Sequence, residues 1–159
     1  MGGVLLGLFK KKEKINNFSV YLHHVSGLPL AENSSCTLSV VTDTLTISSG
    51  NAEFVLKLDQ ISVVDFKLDV EIAQIVSSSA AKGIAGGIMF GPIGAIIGSR
   101  ATSKEKRTVT GYLIINYTNS KGELTALIFT DVPSCNEAAK FVDKLRPLIA
   151  NNPKKSFQL

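Results

Sequence analysis

Apolar and polar side chains alternate in short blocks along most of this chain, as in strands with one buried face. Residues 18–24 open the series. Residues 36–41, 44–48 and 54–58 follow, separated by turn signals at Thr42-Asp43 and Ser49-Gly50-Asn51. Residues 27–35 carry Gly, Pro, Asn and Ser and read as a loop. The period of two is clearest over residues 61–72. Val64, Phe66, Leu68, Val70 and Ile72 face one way and Asp65, Lys67, Asp69 and Glu71 the other, predicting one half-buried antiparallel strand. The strand pattern returns at 108–117 and, after a turn at Asn119-Ser120-Lys121-Gly122, at 124–130.

After Pro133 the period becomes that of a helix. Ser134 and Glu137 have capping-box spacing, in which each side chain satisfies the other's backbone N–H. Ala138, Phe141, Val142, Leu145, Leu148 and Ile149 then form one apolar stripe. Pro147 predicts a bend or an end to this helix, and Asn151-Asn152-Pro153 a stop before a tail at 151–159. The expected fold is mainly β, of the α+β class. Six or seven antiparallel strands make a partly open barrel, closed by the C-terminal helix.

One segment breaks the pattern. Residues 77–107 form a glycine-rich insert, and residues 83–99 within it carry no charge. Gly83, Gly87 and Gly91 repeat every four residues, as do Gly94 and Gly98. On a helix that spacing makes a flat groove for a second backbone. Ile88, Phe90 and Ile93 lie on other faces. Lys82 flanks the segment on one side and Arg100, Lys104, Lys106 and Arg107 on the other. The expectation is a largely helical element over 80–98, broken near Pro92, that self-associates or touches membrane through those glycines. A buried apolar insert with structural glycines is the alternative. A phosphate-cradling loop does not fit, because the Walker lysine and spacing are missing.

Composition narrows the chemistry. Charged residues are 19% of the chain and the net charge is +4, carried mostly by lysine. With arginine only at 100, 107 and 146, nucleic acid is not the expected partner. An anionic membrane surface or a protein partner suits a lysine surplus better. Residues 1–17 place an apolar patch (Val4, Leu5, Leu6, Leu8, Phe9) ahead of four lysines, the reverse of a secretory signal. That segment reads as a frayed end or a short interfacial anchor, and Leu6 is wrong for myristoylation. Cys36 and Cys135 form no metal or redox motif. His23 and His24 would point to opposite faces of a strand. No catalytic motif, metal set or cofactor motif is found, so an enzyme is not expected.

The wording of the chain resembles bacterial PH-like and GRAM-like domains. The residues that carry the resemblance are Gly27-Leu28-Pro29-Leu30, the run 45–64, the strand YLIINYTN at 112–119, and residues 126–145. It covers most of 25–149 and departs at 77–106, a long insert for that family. It implies a domain over 18–150, interrupted by the insert, that binds rather than catalyses. The resulting expectation is a cytoplasmic scaffolding module at or near the inner face of the membrane. It would form a homo-oligomer or attach to membrane through its insert. The alternative is a soluble regulatory or sponge-like module that takes a small ligand or a partner protein in a groove of the β-domain.

Overall fold

A computed structural model describes residues 17–78, 84–85, 88–101, 109–131 and 136–150. Four strands form an initial meander: β1 (Asn17–Ser26), β2 (Ser35–Val41), β3 (Thr44–Ser49) and β4 (Ala52–Lys57). A 3-10 turn at Leu58–Gln60 leads into β5 (Ile61–Leu68). Helix α1 (Asp69–Ser78), the short strands β6 (Ile84–Ala85) and β7 (Ile88–Met89), and helix α2 (Ile93–Ala101) follow. Strands β8 (Gly111–Thr118) and β9 (Leu124–Thr130) and helix α3 (Asn136–Ala150) complete the order. The main sheet is seven-stranded and antiparallel, in the order β4-β3-β2-β1-β9-β8-β5.

The sheet wraps a core to which every one of its strands and α3 contribute. Leu22, Leu38, Val40, Leu45, Ile47, Leu113, Ile115, Phe129 and Leu145 are almost fully buried there. Each such side chain gains about 1.5–3 kcal/mol from leaving water. Cys36 also lies in this core, and burial pushes its thiol above the ordinary value. The Gly27-Leu28-Pro29-Leu30 loop folds over the same core, with Leu28 and Leu30 packed on it. Gly27 has φ +111°, and a Cβ there would collide with the Ala126 carbonyl oxygen, so only glycine fits. His24, 2% exposed, holds this loop from beneath. Its Nε2 accepts the Leu28 N–H at 3.2 Å and its Nδ1 lies 3.2 Å from the Ala31 oxygen, so Nδ1 carries the proton.

Several sequence expectations need correction. The alternating run at 61–72 is not one strand, because it ends at Leu68 and α1 begins at Asp69. Both periods coexist at the boundary, since Ile72, Ile75 and Val76 also make a helical stripe. Acidic residues decide the matter. Glu71 accepts the Leu68 N–H at 2.9 Å and Asp69 the Val70 N–H at 2.7 Å, and both favour a helix N-terminus. The described residues of 80–98 are not largely helical either. Ile84 pairs with Met89 and Ala85 with Ile88 as a hairpin, and the helix starts only after Pro92. A glycine-rich run has little helical propensity to resist that extension.

Pro147 does not end α3, which continues to Ala150. Ser134 lies outside the described residues, as do Cys135, residues 1–16 of the N-terminal segment and the tail. The acceptor seen at the start of α3 is Asp131, whose Oδ2 takes the Ala138 N–H at 3.0 Å. Phe141, Val142 and Leu145 point from α3 into the core, and the Phe141 ring meets Phe18 edge-on at 5.4 Å. Phe141→Ala or Leu145→Ala is therefore expected to lower unfolding free energy by about 2–5 kcal/mol in urea denaturation. An unchanged midpoint would mean that the helix does not close this core.

Candidate functional site

Strand β5 ends the sheet, with β8 on one side and no strand on the other among the described residues. Its register slips between Ile61 and Val63, and the C-terminal half of α3 crosses beside it. Between them lies a cleft of about 550 Å³ lined by Ser62, Val63, Val64, Asp65, Ile88, Arg146 and Ile149. Val63, Val64, Ile88 and Ile149 supply its apolar wall, and its charge is concentrated at one place. The Arg146 guanidinium lies 2.7 Å from Asp65 Oδ1, and Lys67 Nζ lies 3.5 Å from Oδ2. Two cations thus share one carboxylate, leaving a positive surplus at the cleft.

The free edge of β5 is not uniform. Asp65 Oδ1 accepts the Phe66 N–H at 2.8 Å and Glu71 accepts that of Leu68, so side chains close the far end of the edge. Such capping of edge donors discourages strand pairing there. The part left open is the part that lines the cleft.

The insert extends further than the 77–107 read from the sequence, from Asp69 at the start of α1 to Thr110, and shapes this site from the other side. Tyr112, Ile114 and Ile128 face away from the main core. Ile72, Ile88, Phe90 and Ile97 of the insert cover them, with Ile75, Val76 and Ile93 partly buried alongside. Asn116 fixes the hairpin to the sheet. It is fully buried, its Oδ1 accepts the Met89 N–H at 2.7 Å, and its Nδ2 donates to the Met89 oxygen at 2.8 Å. Asp69, also fully buried, ties the ends of the insert together. Its N–H donates to the Thr110 oxygen at 2.9 Å and its Oδ2 accepts the Thr110 N–H at 3.2 Å.

The predicted self-association residues divide accordingly. Gly83, Gly87, Lys82, Lys104, Lys106 and Arg107 lie outside the described residues. Gly91 is not on a helix. It has φ +70° and open space where a Cβ would be, so it serves as a turn residue before α2. Gly94 and Gly98 do meet a second helix closely, but within the chain. A Cβ on Gly98 would lie 3.2 Å from Ala73 Cα, and one on Gly94 would lie 2.8 Å from Phe90 Cβ and 3.4 Å from Val76. Ile88 and Phe90 are buried and Ile93 half-buried in the same packing. Arg100 reaches Glu32 of the β1–β2 loop at 3.3 Å, tying α2 to that loop. No described helix is long and apolar enough to cross a membrane. Among the described residues no cluster of three His, Cys, Asp or Glu could hold a metal.

Sequence reasoning missed Asn116, Asp69 and the insert's docking face. The signal for the face was present, because residues 112–115 and 126–129 are apolar without alternation, as in strands buried on both sides. Asn116 interrupts that run, and a polar group there needs a partner.

Asn116→Ala would leave the Met89 N–H and C=O without their partners, at about 1–3 kcal/mol for each buried group. The expected result is faster amide exchange at Met89 and Phe90 with β1–β4 still protected; unchanged exchange would show that the hairpin is held by other means. A second expectation concerns pH. Burial and the Asp69 carboxylate raise the Tyr112 phenol above its ordinary 10.0, with Arg100 opposing and Glu32 adding. The native state then keeps this proton longer than the unfolded chain, so the contribution is intact below 10.0 and lost as pH rises beyond it. Alkaline loss of stability should therefore be shallower in Tyr112→Phe than in the parent.

Set against known proteins, the chain matches no family model and no curated protein, and the geometry of this cleft and its edge strand carries the functional reading.

Proposed function

We propose that the chain is a non-catalytic binding module of the PH-like kind, which holds an extended segment of a partner protein in the cleft between β5 and α3. One observation carries the reading. Side chains cap the far end of the β5 edge and leave it open where the cleft and the Arg146–Asp65 pair adjoin it. Backbone groups at such an edge can add a strand, while the cleft takes alternate side chains. Arg146 offers a planar donor fork for a carboxylate once it turns from Asp65. The PH-like assignment is supported by the four-strand meander, the second set formed by β5, β8 and β9, and the closing helix, together with the sequence resemblance. A buried Cys36 thiol suits a reducing, cytoplasmic setting.

Attachment or self-association through the insert is the second reading. Val70 and Ile96 favour it, being about half exposed on the helices of the insert. The residues that would anchor it most strongly, Ile88, Phe90 and Ile97, are already buried against the sheet.

The test is selection of extended peptides from a randomised library, followed by amide shift mapping. Binding should perturb residues 62–65 and 146–149, and Arg146→Glu should weaken it about tenfold, roughly 1.4 kcal/mol. Peptides that perturb only the insert, or vesicle binding abolished by Ile96→Glu, would favour the second reading instead.

A further inference from the structure

We infer that the outer edge of β4 is a self-association surface, across which two copies of the chain pair their β4 strands antiparallel about a two-fold axis at Val55. Strand β4 is the other end of the sheet, with β3 on one side and no strand on its outer side among the described residues. Ser49 pairs with Ala52 across the two-residue turn Gly50-Asn51, and ladder bonds alternate from there. The N–H and C=O groups of Glu53, Val55 and Lys57 therefore point outward. The Lys57 N–H fits this direction, since it bonds the Gln60 side chain at 3.0 Å rather than β3.

This edge lacks the protections seen at β5. It has no proline and no bulge, and Gln60 takes only the last donor. Its sequence is also complementary to itself. In an antiparallel pairing centred on Val55, Glu53 of each copy falls opposite Lys57 of the other, and the two Val55 side chains face each other. All three residues lie on the exposed face of the sheet, and Val55 is 62% exposed. Opposite charges and β-branched pairs placed directly across a ladder stabilise it. The Lys57–Asp43 ion pair is long, at 4.0 Å between exposed groups, and leaves the ammonium available. Gln60 keeps the Lys57 N–H, so the ladder consists of the reciprocal Val55 bonds and of Glu53 N–H to the Lys57 oxygen in both directions. Such a contact is isologous and closes as a dimer. It uses residues distinct from those of the insert and of the β5 cleft.

Sedimentation equilibrium of the full chain over a concentration series tests this inference. The expected result is a reversible dimer. Val55→Pro removes an edge donor at a position where proline is tolerated, and should give a monomer with unchanged circular dichroism. Glu53→Lys or Lys57→Glu alone places like charges at both crossings and should weaken the dimer about tenfold. The double exchange, Glu53→Lys with Lys57→Glu, should restore it, and this decides the matter even if Val55→Pro fails to fold. A monomer at every concentration, a dimer that survives Val55→Pro, or a double exchange without rescue would overturn the proposal.

Discussion

Burial of the β8–β9 ladder on both faces is the constraint on which the rest of the molecule depends. Leu113, Ile115, Leu127 and Phe129 face the main core, while Tyr112, Ile114 and Ile128 face the other way. One cover cannot serve both sets. Helix α3 and the curl of the sheet enclose the first, and α1, the hairpin and α2 enclose the second. Without that second cover the sheet would expose a contiguous apolar face, which folded chains rarely tolerate.

The insert is therefore part of the fold, and its composition suits that task. Gly94 and Gly98 let α2 lie close against Val76 and Ala73 of α1, so the helix pair stays thin over the sheet. Helical glycine costs about 1 kcal/mol relative to alanine, and close packing offsets it. Two buried polar side chains set the position of this cover. Asn116 completes the hydrogen bonding of the hairpin at Met89, and Asp69 joins the start of the insert to its end at Thr110. Each bonds backbone groups on a segment distant in sequence, which fixes the register of the cover against the sheet.

The same arrangement leaves two strand edges to interact with partners. At β5 the hairpin contributes Ile88 and α3 contributes Arg146 and Ile149 to the wall of a cleft, while carboxylates close the rest of the edge. At β4 a side chain takes only the last donor, at Lys57, and the edge is self-complementary. The functional reading follows from this difference in how two chemically similar edges are finished.

Local pattern was enough for most elements. Alternation located β1 to β5, apolar runs bounded by turn signals located the β8–β9 hairpin, and the stripe from Ala138 to Ile149 located α3, because one-sided burial leaves its period in the sequence and two-sided burial leaves a continuous run. It failed where two periods overlapped, as at Asp69 to Ile72, and where glycine left propensity too weak to choose between helix and hairpin, as at residues 84–89. The candidate cleft was not legible at all, since Ser62 to Asp65, Ile88, Arg146 and Ile149 come from three distant segments. The amino-acid sequence by itself determined a β-rich chain with a capping helix and a glycine-rich apolar insert. Tertiary structure decided which surface that insert covers. Burial is a property of facing surfaces, and the partner face of the insert lies on β8 and β9, beyond the reach of any local period.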